Sequence, residues 1–127
     1  MTILLDTHTL LWFLENDPQL PNRTRIRIQT STTVFISLVS LWEIAIKTNM
    51  GKLIFPIPFS QLQPELITQN FTQLPITFSD LEIYHGLPLH HRDPFDRLLI
   101  SQAINHNLIF ISRDTEFGPY PIQQVWN

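Results

Sequence analysis

Four acidic residues occupy positions where a carboxylate is either costly or useful: Asp6, Glu43, Asp96 and Asp114. Asp6 closes the apolar run Ile3-Leu4-Leu5, and Asp114 follows the apolar run Leu108 to Ile111, two residues after Ser112. Ligands of an open parallel sheet bind outside the carboxyl ends of its strands, so both acids are expected at one edge of a sheet. Each alone also suits a turn or a helix cap. Glu43 lies among Leu38, Val39, Leu41, Trp42, Ile44, Ala45 and Ile46, a segment apolar almost all round. A carboxylate there is expensive unless it is paired, hydrogen-bonded or on a metal, and Lys47 one turn on offers an ion pair. Asp96 precedes Leu99, Ile100 and Ala103 at helical spacing, which places it on the inward face of its own helix. Asp93 just before it reads as an N-cap, with Pro94 at the first helical position.

Such acids repel one another. Two carboxylates ~4 Å apart cost about 4 kcal/mol at an effective dielectric of 20. A cluster must therefore take up protons or enclose a divalent cation. Oxygen donors and a chain without cysteine point to Mg²⁺ or Mn²⁺ rather than Zn²⁺. An ion of that kind activates water and neutralises a phosphodiester under attack, so it lets an acidic protein handle a polyanion. His90 and His91 lack a second pair at ligand spacing and read as loop or outer residues rather than a zinc site. Arg97 and Arg113 each follow a proposed ligand directly and suit either substrate phosphates or ion pairs with the same acids. The Arg23–Arg27 run reads as a solvated face. Trp12, Phe13 and Trp42 read as core or intersubunit contacts before base-stacking platforms. Ser37 and Ser40 have no nucleophile-elbow context.

The elements that must position these groups follow from patterning. Ile3–Leu5 and Leu108–Ile111 suit strands buried on both faces, and Thr33–Ser37, β-branched and aromatic, reads as a further strand. Thr7–Glu15, Leu38–Asn49 and Asp93–Asn105 read as helices. Pro21–Ser31 fits a helix or an exposed ribbon. Phe59–Asn70 reads either as one helix with Pro64 inside it or as a fresh helix that Pro64 starts at Glu65. Phe71–Ile76 and Pro121–Trp126 suit short strands, and Ser79–Gly86 a helix capped by Ser79. Apolar strands alternating with helices imply a single α/β domain over residues 1–127, with a mainly parallel sheet.

Composition sets further bounds. The chain has 127 residues, 43% hydrophobic and 15% charged, with a net charge of −3. That is a globular domain, and its gross charge is not that of a basic nucleic-acid-binding protein. Only Gly51, Gly86 and Gly118 are present, so no phosphate-cradling glycine loop exists. The start MTILLD lacks a basic targeting region, and no apolar stretch reaches the ~20 residues of a membrane span. A soluble, cytoplasmic protein without a membrane partner is expected.

Asp6-Thr7-His8-Thr9-Leu10-Leu11-Trp12, Ser40-Leu41-Trp42-Glu43-Ile44-Ala45-Ile46-Lys47 with Gly51-Lys52-Leu53, the HRDPFDRLLI stretch, and Ser112-Arg113-Asp114 with Phe117 occur in that order along nearly the whole chain. Together they resemble the PIN-domain family and, more narrowly, the VapC-type toxin ribonucleases of VapBC toxin–antitoxin modules. The resemblance implies a PIN-like three-layer sandwich and a Mg²⁺- or Mn²⁺-dependent endoribonuclease. It also implies an RNA substrate, a small cognate antitoxin and a homodimer. It carries the four metal-binding and catalytic acids onto Asp6, Glu43, Asp96 and Asp114, with Asp93 as a further candidate ligand. Thr7, His8, Arg97, Ser112 and Arg113 are the expected substrate contacts. Ser112 stands where the family usually has Thr and Ser101 where it has Ala, and neither change removes a ligand. Two other readings compete: a phosphoryl-transfer protein with Asp6 as nucleophile, and a catalytically silent module that binds RNA or antitoxin.

Overall fold

A computed structural model describes all 127 residues. The chain order is β1 (Thr2–Leu5), α1 (Thr7–Leu14), α2 (Asn22–Thr30), β2 (Thr33–Ser37), α3 (Leu38–Asn49), α4 (Leu62–Thr68), β3 (Thr72–Leu74), α5 (Phe78–His85), α6 (Pro94–Asn105), β4 (Ile109–Ile111) and β5 (Gln123–Val125). The strands form one sheet in the order β3-β2-β1-β4-β5, and every pairing is parallel. Leu4 of β1 stands level with Phe35 on one side and Phe110 on the other. The sheet is wholly parallel because each connection carries a helix, or the 3₁₀ turn Thr115–Phe117, back to the starting edge.

Side chains of a strand alternate between faces, and the core divides accordingly. Ile3, Leu5, Ile36 and Ile111 pack with Leu10, Phe13, Ile28 and Ile44 on one face. Leu4 and Phe110 pack with Val39, Leu99, Ile100 and Phe117 on the other. The result is a three-layer α/β sandwich. No helix is long and apolar enough to cross a membrane.

Three local features refine the sequence reading. Pro21–Ser31 resolves as the helix α2, which buries only Thr24 and Ile28. Pro64 does not break α4: it lies in the first turn, where its missing N–H costs nothing, and a 3₁₀ turn at Phe59–Gln61 leads in. The cap of α5 is Thr77, not Ser79. The Thr77 hydroxyl accepts the Asp80 N–H while the Asp80 carboxylate accepts the Thr77 N–H, a reciprocal capping box. Asp80 is fully buried and also accepts from Gln102 and Asn105, which ties α5 to α6. Burial alone would raise its pKa, but these donors outweigh burial and hold the carboxyl below its ordinary value.

Candidate functional site

From β1 the chain moves outward through β2 and β3, then returns to the other side of β1 for β4 and β5. The order reverses between β1 and β4, and a crevice opens at the carboxyl ends of strands at such a point. Asp6 is the first residue after β1 and Ser112 the first after β4. They are stitched together there. The Asp6 N–H donates to the Ile111 carbonyl (3.2 Å), and so does the Thr9 hydroxyl (3.1 Å). The Ser112 hydroxyl donates to Asp6 Oδ2 and accepts the Asp114 N–H at 3.1 Å. Asp6 Oδ1 accepts the Thr9 N–H at 2.7 Å, so Asp6 also caps α1.

Glu43 reaches the same end of the sheet from α3, where it is buried. Its Oε1 accepts the Thr7 hydroxyl at 2.7 Å, and its Oε2 receives the Lys47 ammonium at 2.9 Å. The expected ion pair one helical turn away is therefore present. Asp96 projects from the first turn of α6, behind the N-cap Asp93, whose Oδ1 accepts the N–H groups of Phe95 and Asp96.

His91 sits inside the acidic group. Its Nε2 lies 3.2 Å from Asp96 Oδ2, 3.4 Å from Asp114 Oδ2 and 3.3 Å from Glu116 Oε2. Its Nδ1 accepts the Asp93 N–H at 3.2 Å, which leaves the proton of the neutral ring on Nε2, facing the acids. His91, Asp96 and Asp114 each offer a ligand atom within 4.8 Å of the others. Asp6, Glu43 and Asp93 stand around this trio rather than in it, within electrostatic reach of Asp96. The placement of His91 and Glu116 was not anticipated from spacing. His91 arrives on the segment before α6, which Tyr120 holds. The Tyr120 hydroxyl accepts the N–H groups of His90 (3.0 Å) and His91 (2.8 Å) and donates to the Pro88 carbonyl (2.8 Å).

The electrostatics record the crowding. Burial, followed by the charges of Asp93, Glu43, Asp6 and Asp114, pushes the Asp96 carboxyl up to about 8. Burial also raises Asp6, against the opposing hydrogen bonds from Ser112 and Thr9. Asp96 thus has no partner that favours its charged form strongly enough to offset four neighbouring acids. A hard dication would supply that partner, and the donors present, carboxylate oxygens with one imidazole nitrogen, fit Mg²⁺ or Mn²⁺.

The basic residues separate. Arg97 is buried and faces away from the acids. Its guanidinium donates to the carbonyls of Leu87, Pro88 and His91 at 3.1–3.2 Å and lies over the Tyr84 ring. It pairs with no acid; its donors are spent on bracing the His91 segment. Arg113 is exposed at the mouth of the crevice, 4.5 Å from the centroid of the Trp12 ring, with His8 on the same wall. Thr7 is buried against Glu43.

A wholly parallel α/β sheet with acids gathered at its switch point defines a protein with a candidate divalent-metal centre. The chain belongs to the PIN domain family, whose model matches residues 3–121. No curated protein matches the chain. Solved structures share its fold. VapBC2 from Rickettsia felis, bound to a DNA fragment from its promoter, is similar at 18% identity with a TM-score of 0.71, over 100% of both chains. FitAcB from Neisseria gonorrhoeae is similar at 22% identity and 0.68, over 100% of this chain and 97% of the other. A toxin–antitoxin complex from Klebsiella pneumoniae is similar at 17% identity and 0.66, over 97% and 95%.

Proposed function

We propose that this PIN domain is a divalent-metal-dependent endoribonuclease and the toxin of a type II toxin–antitoxin pair. The observation that carries the reading is the Asp96 carboxyl, confined with Asp114 and His91 and surrounded by Asp6, Glu43 and Asp93 at the switch point of a PIN fold. A toxin–antitoxin complex and VapBC2 share that fold along nearly the whole chain, which supports the biological setting.

Asp6, Glu43, Asp96 and Asp114 are the residues that would hold Mg²⁺ or Mn²⁺, with Asp93 as a further candidate. Bound there, the ion would supply water activation and charge neutralisation at a phosphodiester. The chain's own groups do the rest. Ser112 fixes the orientation of Asp6, and Thr7 that of Glu43. The His91 Nε2–H draws Asp96, Asp114 and Glu116 toward one point. Arg113 offers the crevice a cation that no carboxylate occupies, suited to a substrate phosphate. His8 lies beside it as a second substrate contact. The partners proposed are RNA, a small antitoxin protein that covers the acidic crevice, and a second copy of the chain, in the cytoplasm.

The test is incubation of purified protein with total RNA, with and without Mn²⁺, followed by mapping of the cut ends. Cleavage leaving 5′-phosphate ends should depend on the metal and disappear in Asp6→Asn and Asp114→Asn while the fold persists. Cleavage that survives chelation or either substitution refutes the assignment.

A further inference from the structure

The Ser112–Asp114 loop is gripped from outside by β5, an edge strand of the sheet. The Gln124 amide donates one N–H to the Ser112 carbonyl at 3.0 Å and the other to the Asp114 carbonyl at 2.7 Å. Both neighbours are acceptors, so the amide nitrogen must face them. One position on, the Val125 carbonyl accepts the Ser112 N–H at 3.2 Å. β5 is anchored in turn beyond its end. The Trp126 ring stands edge-on to Trp12 of α1 at 5.9 Å, and the Trp126 carbonyl accepts the Thr24 hydroxyl of α2. The other ties of Asp114 are made within the loop and travel with it: its N–H goes to Ser112 Oγ, and its Oδ1 accepts the Glu116 N–H. Gln124 ties the loop to the sheet, which leaves Asp114 Oδ2 facing His91. Ser112 passes the same register on to Asp6 through its hydroxyl.

We propose that Gln124 is a positioning residue for the divalent-metal centre: by clamping the carbonyls on either side of Arg113, it sets where Asp114 Oδ2 stands relative to Asp6. This rests on the metal-centre reading above and adds a residue outside the span 3–121 that the PIN family model matches. Gln124 offers the ion no ligand and acts only through the backbone of two other residues. A ligand set works when its members are held within about 0.5 Å of the productive geometry. Asp114 is half-buried, so without the amide its carbonyl and that of Ser112 can turn to water and carry the loop with them. Groups that orient a ligand in this way typically contribute about 10–100-fold in metal affinity.

The test measures Mn²⁺ affinity by calorimetry, the EPR spectrum of the bound ion, and stability by urea unfolding in EDTA. The proteins are wild type, Gln124→Leu, Gln124→Asn and, as the same change at an exposed position of the same strand, Gln123→Leu. Gln124→Leu should bind Mn²⁺ about tenfold more weakly or worse, with an altered EPR spectrum because one oxygen is displaced. Gln124→Asn keeps an amide one methylene too short to span both carbonyls, and should fall between Gln124→Leu and wild type; it reports even if Gln124→Leu disturbs the fold. Gln123→Leu should match wild type in affinity and spectrum. Wild-type affinity and spectrum in both Gln124 variants overturn the clamp, even where stability falls, since the amide would then only satisfy two carbonyls. Equal losses in Gln123→Leu overturn it as well. Wild type that binds Mn²⁺ while the Gln124 variants match it sinks the clamp alone; wild type that binds none sinks the metal-centre reading with it.

Discussion

Replacing Asp96 with Asn should stabilise the metal-free protein at alkaline pH. Burial and then the charges of Asp93, Glu43, Asp6 and Asp114 move the Asp96 carboxyl from 3.8 up to about 8. The unfolded chain lets the same group ionise near its ordinary value. Between about pH 4 and about pH 8 the folded protein therefore holds a proton that the unfolded chain has released, and stability falls as pH rises through that window. At roughly 1.4 kcal/mol per pH unit, that interval sets a ceiling of about 6 kcal/mol. The side chain is 23% exposed, and solvent screening reduces the net effect to about 2–3 kcal/mol. Asn keeps the shape and cannot ionise, so the variant should lose most of the slope. Asp6, also raised by burial, leaves a remnant of the same sign. Asp80, held low, contributes stability that is lost only on acidification below its ordinary value, outside the window. Urea unfolding in EDTA across this range measures the slope directly. Added Mn²⁺ should stabilise wild type increasingly as pH rises, since the ion competes with the proton, and should help Asp96→Asn far less. Parallel pH curves for the two proteins in EDTA would refute the reasoning.

Ser112→Ala removes the hydroxyl that orients Asp6 and receives the Asp114 N–H. Mn²⁺ affinity by calorimetry should fall roughly 10–100-fold. The Asp6 pKa should rise further, so affinity should recover partly at higher pH; an unchanged affinity contradicts the orienting role. Arg97→Met leaves the carbonyls of Leu87, Pro88 and His91 without their donor. It should cost about 3 kcal/mol in urea unfolding and leave the salt dependence of RNA binding unchanged, because no phosphate contact is lost. A salt slope reduced by about one would restore Arg97 to the substrate.

The strands and the main helices were legible because their signals are local. β1, β2 and β4 are short apolar runs, and α6 announces itself with Asp93 and Pro94. The inward turn of Asp96 followed from its spacing to Leu99, Ile100 and Ala103, all of which are buried. The same rule, applied to Arg97 with Ile100 and Ser101, would have shown its burial too. The Thr77–Asp80 spacing carried a cap signal that Ser79 obscured. His91 was a different case. Its position depends on Tyr120 and Arg97 gripping a loop from distant parts of the chain, and no periodicity encodes that. Nor could sequence divide the acids into a close trio and a surrounding ring, because that division depends on distances.

Helix capping and ligand binding looked like rival explanations for these aspartates, but the capping geometry in the structure leaves room for both. A carboxylate has two oxygens. Asp6 gives Oδ1 to the Thr9 N–H and turns Oδ2 to Ser112. Asp114 gives Oδ1 to the Glu116 N–H and turns Oδ2 toward His91. In each case a backbone N–H fixes the side-chain rotamer, and the second oxygen is aimed at the crevice. Positive helix ends also offset part of the repulsion among the acids. Asp96 differs: it accepts no backbone N–H, and its carboxylate contacts only His91. The group left uncompensated by the fold is the one whose proton is held to about pH 8. Charge repulsion at the switch point is thereby concentrated on a single side chain, the one whose ionisation an arriving cation would favour most.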